Sequence, residues 1–145
     1  MATLKIFDEF FNDLLKAKHN FSTGHVFKCR LSNVAPTKAT DTAITSKTVA
    51  AGAGYPGDQT VTLTISEPSS GTWQLGDTTN VTFTASGGDY GPFQYAYLYN
   101  DTDSGDALIA VLDYGSAITS VTSTNSFIVD PGTNGWVQFA TPAWA

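Results

Sequence analysis

The feature that most constrains this chain is a succession of short alternating segments, each closed by turn residues, that fills its second half. In order they read "TVTLTIS", "GTWQL", "NVTFTAS", "FQYAYLYN", "ALIAVLDYG", "SFIVD" and "WVQFA". Successive side chains of a strand point to opposite faces, so alternation marks a surface packed on one side. The gaps between segments are too short for crossover helices, which excludes a parallel α/β fold and predicts antiparallel strands in a sandwich or barrel. Composition agrees: charged residues make up only 14% of the 145, a balance that favours strands and turns, and 41% are hydrophobic, enough for one domain with its own core. The single cysteine, Cys29, rules out an internal disulfide, so packing alone holds the fold.

The first third reads differently. Leu4, Phe7, Phe10, Phe11, Leu14 and Ala17 recur at three- and four-residue steps, with Lys5, Asp8, Glu9, Asn12, Asp13 and Lys16 between them. This spacing predicts an amphipathic helix over about 4–18, ahead of a β domain over about 24–140. Its apolar stripe docks either on the domain's own sheet or on a partner. "GHVFKCRLSNVAP" predicts a strand that stops at Pro36, which has no N–H to give a ladder. A short helical turn is expected around "DTAITSKTVAA". The N-terminal apolar run is broken by Asp8, Glu9 and Asp13 and falls short of the ~18 residues of a membrane span, so a soluble chain without a signal peptide is expected.

Several motifs invite chemistry. Gly52, Gly54 and Gly57 form a G-x-G-x-x-G pattern, but Pro56 stands where a phosphate-binding helix would begin and a strand follows, so the segment reads as a loop. Phe93, Tyr95, Tyr97 and Tyr99 fall on one face of an ideal strand, as in sugar-binding platforms and in ordinary cores. Three hydroxyls seeking partners favour a core or subunit contact over a sugar site. Asp101, Asp103 and Asp106 supply hard oxygen ligands, yet Gly105 is one residue early for a calcium loop and no distal glutamate closes the shell, which favours a hairpin turn. His19, His25 and Cys29 match no zinc spacing, and no nucleophile elbow, phosphate loop or local nucleophile–base pair occurs. No catalytic residue, metal site or cofactor is expected.

Charge is distributed unevenly. All seven basic residues lie at or before Lys47, while the net charge is −6. A basic region on one copy, including Lys16, Lys18, Lys28 and Arg30, would meet an acidic surface of another molecule; the alternative is a set of solvated lysines. Sparse lysines on an acidic chain do not make a nucleic-acid surface. Together with Tyr95, Tyr97 and Tyr99, these four residues are the candidate protein interface.

The segments "AAGAGYPG" (50–57), "TASGGDYGPFQYAYLYNDT" (84–102) and "LIAVLDYGSAIT" (108–119), following a short helix and "KCRLSNVAPT", resemble a family of small virion structural proteins of tailed bacteriophages. The resemblance covers most of the chain, least clearly at its ends, and its motifs describe fold rather than chemistry. It implies a non-enzymatic particle component assembled in the bacterial host cytoplasm. The expected role is a capsid decoration protein that binds the outer head surface, with the major capsid protein and other copies of itself as partners and a homo-oligomeric arrangement on the particle. A tail-tube or head-tail connector subunit and a receptor- or glycan-binding module are the alternatives. The resemblance also implies a central hairpin, the aromatic strand pairing with "LIAVLDYG".

Overall fold

The computed structural model describes residues 2–142. It is mainly β, with ten strands and one short helix. Strand β1 (Thr3–Ile6) leads into helix α1 (Asp8–Leu15); β2 (Phe27–Ser32) is separated from β3 (Gln59–Val61) by a long loop holding a 3-10 turn at Ile44–Ser46. There follow β4 (Leu63–Ser69), β5 (Thr72–Asp77), β6 (Val81–Thr84), β7 (Phe93–Asn100), β8 (Leu108–Ile118), β9 (Ser126–Val129) and β10 (Val137–Ala140). A five-stranded antiparallel sheet, β1-β8-β7-β2-β3, faces a three-stranded sheet, β10-β5-β4, and a two-stranded one, β6-β9. One core joins all three, with Leu31, Ala96, Leu98, Ala110 and Leu112 from the large sheet meeting Leu75, Val81, Phe83, Val129 and Val137 from the small ones. The sheets keep free edges, so the architecture is an open sandwich and not a closed barrel.

The expected helix over 4–18 is shorter. Residues 3–6 form β1, pairing Thr3 with Asp113 and Ile6 with Ala110, because Leu4 and Ile6 alternate with Thr3 and Lys5 as a strand edge requires. The helix ends where Ala17 takes φ 58°; the Ala17 amide then donates to the Leu14 carbonyl and the Lys18 amide to that of Asp13, a Schellman closure. "TVTLTIS" is likewise two strands, β3 and β4, and the chain changes sheets between them. None of the described helices is long and apolar enough to cross a membrane.

The β7–β8 hairpin lies at the centre of the large sheet, and its turn consumes the aspartates. Asp101 pairs with Lys28 at 2.7 Å, and Asp103 accepts from the Gly105 amide at 3.0 Å. The glycines of "AGAGYPG" serve backbone packing. A Cβ on Gly54 would sit 1.9 Å from the Gly88 carbonyl oxygen, and the Gly54 amide donates to that of Asp89. The loop therefore seats directly on residues 86–91.

Candidate interaction surface

The aromatic strand does not carry its four rings on one face. The β7–β8 register shifts between Phe93 and Tyr95, so Phe93 enters the main core while Tyr95, Tyr97 and Tyr99 stand on the opposite face of the sheet. The 33–58 loop covers that face: Ile44 and Phe7 pack with Tyr97, Tyr99, Leu108 and Val111. The Tyr97 hydroxyl donates to the Val34 carbonyl at 2.6 Å and that of Tyr99 to Asp58 at 2.7 Å. Burial, reinforced by the Asp58 carboxylate, holds the Tyr99 hydroxyl protonated well above its ordinary range. Tyr97 and Tyr99 are thus interior side chains with satisfied hydroxyls, closed to a sugar or a partner, while Tyr95 is half-buried at the margin.

The basic residues are also engaged within the chain. Arg30 grips Asp58 through Nε and Nη2, and its Nη1 donates to the carbonyls of Ile44 and Lys47. Asp58 also accepts from Tyr55, so one carboxylate collects three side chains and straps the loop to β2. Lys47, 3% exposed, pairs with Asp41 at 2.6 Å and donates to the Ala35 carbonyl. Lys5, Lys18, Lys28 and Lys38 pair with Asp113, Asp13, Asp101 and Asp8. Among the described residues Lys16 alone of the seven makes no ion pair. The basic residues are spread over pairs within the chain; Arg30 is the most enclosed of the four basic candidate interface residues, while Lys18 and Lys28 keep part of their side chains exposed beside Asp13 and Asp101.

Potential chemistry is equally tied up. Cys29 is fully buried and its thiol is pushed well up by that burial. Among the described residues no group of three or more His, Cys, Asp or Glu is placed to hold a metal ion.

One exposed face is apolar. In the three-stranded sheet Trp73 stands opposite Phe139 and Ile65 opposite Leu75, so all four share one face. Leu75 is sealed in the core, but the sheet runs on past it, leaving Trp73 44% and Ile65 55% exposed. Helix α1 flanks the same face: Phe11, 45% exposed, meets Phe139 edge-on at 6.2 Å, and Leu15 is 90% exposed. Between them lies a cleft of about 110 Å³ lined by Leu14, Phe21, Ile65, Trp73, Gln74, Leu75 and Phe139. Contiguous apolar surface of this kind marks contact with another macromolecule.

The helix stripe read from the sequence includes Phe11 and Leu14, with a partner as one of its two docking choices, but sequence reasoning missed exposed Leu15, Ile65 and Trp73 and half-buried Phe139. Whether a strand's apolar face is covered depends on distant elements, which alternation does not reveal.

Compared with family models, curated proteins and solved structures, the chain finds no match.

Proposed function

We propose that this chain is a non-enzymatic virion structural protein of a tailed bacteriophage, a capsid decoration protein that binds the outer head surface and reinforces the shell. The observation that carries the attachment mechanism is the apolar cleft bordered by exposed Ile65 and Trp73 and half-buried Phe139, with exposed Phe11 of α1 packed on Phe139 and Leu15 exposed one helical turn further on. Fully burying one such side chain contributes about 1.5–3 kcal/mol, and a lattice of copies multiplies modest contacts into firm attachment. The phage assignment itself rests on the sequence resemblance.

Two alternatives lose support. A tail-tube subunit needs an extended arm to stack rings, and the candidate arm, residues 37–60, is strapped to the chain's own sheet by Arg30, which holds Asp58 and the carbonyls of Ile44 and Lys47. A glycan-binding module would use the tyrosine row, which that same loop covers.

The test is to locate labelled copies on purified particles and repeat the measurement with Leu15→Asp and Ile65→Asp. Signal over the head that both substitutions abolish, with unchanged melting, supports the reading. Signal confined to the tail overturns it.

A further inference from the structure

Asn100, fully buried at the end of β7, holds together the connector that joins α1 to β2. Its side-chain oxygen accepts from the Thr102 amide at 3.0 Å, which fixes the orientation of the amide. The nitrogen therefore faces three acceptors: the Lys18 carbonyl at 3.0 Å, His19 Nδ1 at 3.2 Å and His25 Nδ1 at 3.0 Å. His25 Nδ1 also accepts from the Asn20 amide. The amide has two hydrogens to share among these three acceptors, but its nitrogen cannot itself accept, so an N–H on either Nδ1 would meet a donor; the neutral His19 ring therefore carries its proton on Nε2, a buried atom with no hydrogen-bond partner.

We propose that the His19–Asn100–His25 cluster is an acid-sensitive latch, which holds the 16–26 connector against the β7–β8 turn while His19 is neutral and releases it when His19 takes up a proton. Protonation would set an N–H on Nδ1 against the Asn100 amide nitrogen, donor against donor, in a site His19 exposes only 7% to solvent. Phe10 of α1 and Phe21 flank the ring at 5.5 and 5.7 Å and supply no hydrogen-bond acceptor for the added N–H.

The charged groups around His19 act in both directions. Burial is the largest influence and lowers its pKa below the ordinary 6.5, with Lys18 and His25 adding to the effect. Asp13 on α1 and Asp103 in the β7–β8 turn oppose it. Asp13 is already engaged by the Lys18 ammonium at 2.9 Å. A histidine whose pKa is lower when folded binds fewer protons folded than unfolded. Its contribution to stability is complete above the unfolded value and is lost as pH falls below about 6.5.

The consequence is local. The connector is tied to the turn by the Val26 amide donating to Thr102 Oγ1 and by the Asp101 amide donating to the Val26 carbonyl. It also carries Phe21, which packs on Phe27 at 5.0 Å and lines the apolar cleft. Opening the latch would reshape one wall of that cleft, but the latch is a property of the chain by itself and stands whatever the cleft binds.

The test uses the intact chain. Ring-nitrogen NMR at about pH 7.5 should show both Nδ1 atoms unprotonated, with His19 titrating below the free-imidazole value. Hydrogen exchange, corrected for intrinsic rate, should accelerate about tenfold or more at Val26 and Asp101 on going to about pH 5, while Ala96 and Leu98 stay protected. In His19→Gln, which stays neutral, Val26 and Asp101 should keep their protection in acid. An Nδ1–H tautomer for His19 at neutral pH, or unchanged acid exchange in the wild type, overturns the proposal. So does a folded His19→Gln chain that loses protection with acid as the wild type does. If His19→Gln does not fold, the two wild-type measurements decide.

Discussion

Ala17 closes α1 at φ 58°, a conformation in which its Cβ crowds the following carbonyl. Ala17→Gly removes that strain and keeps the Schellman hydrogen bonds, so it should raise stability by about 1 kcal/mol, read as a shift in the denaturation midpoint. Gly54 is the opposite case. A methyl group there meets the backbone oxygen of Gly88 at 1.9 Å, and the carbonyl cannot turn aside without losing its place in the loop. Gly54→Ala should therefore cost at least about 3 kcal/mol, the range of severe overpacking, and lower the melting temperature accordingly. Asn100 begins an N-x-T sequon, but with its side chain fully buried and hydrogen-bonded it is no acceptor for a glycan in the folded chain.

At the scale of elements, the strap over the tyrosine face depends on Asp58. Removing it strands the half-buried Arg30 guanidinium and two tyrosine hydroxyls together, so Asp58→Ala should cost about 3–5 kcal/mol and make the 33–58 loop sensitive to protease. Arg30→Lys should retain charge but lose the fork that spans both carboxylate oxygens and the two loop carbonyls, with a smaller loss in the same assay. Strand β1 is held through Asp113, which accepts from Gln94, Lys5 and the Gly115 amide; these donors lower its pKa to about 2. A carboxyl depressed in the folded state stabilises above its unfolded pKa and loses that contribution as pH falls, here from about 4 to about 2. Melting followed across that window should fall less steeply in Asp113→Asn than in the wild type. Alternation made most strands of the second half readable. It failed at β1, where Leu4 and Phe7 also fit a helical spacing, and at Phe93, where a register shift turned one ring to the other face. The strap was illegible for a different reason: Arg30, Asp58 and Tyr99 meet only once three distant segments have been folded together.

Over the whole molecule, folding undoes the charge asymmetry of the sequence. Six of seven basic residues are spent on carboxylates of the same chain, leaving seven of the thirteen acidic side chains without a basic partner. The attachment proposed above, through the apolar face, should therefore resist added sodium chloride, and sulfate should strengthen it, because screening acts on charges while excluded salts favour apolar burial. Sedimentation of bound protein with particles across a salt series checks this. A steep loss of binding with salt would return the contact to electrostatics. Charge reversal at Lys18, Lys28 and Arg30 would confuse the matter, since it breaks internal pairs and lowers stability before it reports on any partner.

The pairing of β1 with β8 sets a timetable for synthesis. Thr3 meets Asp113 across most of the described chain, so β1 must wait for β8 to be made. At roughly 5–20 residues per second that wait is on the order of 5–20 s, during which Leu4 and Ile6 have no sheet to join. Ribosome-bound chains arrested before Leu108 should leave residues 3–6 open to protease, and chains arrested far enough beyond Ile118 for β8 to clear the exit tunnel should protect them.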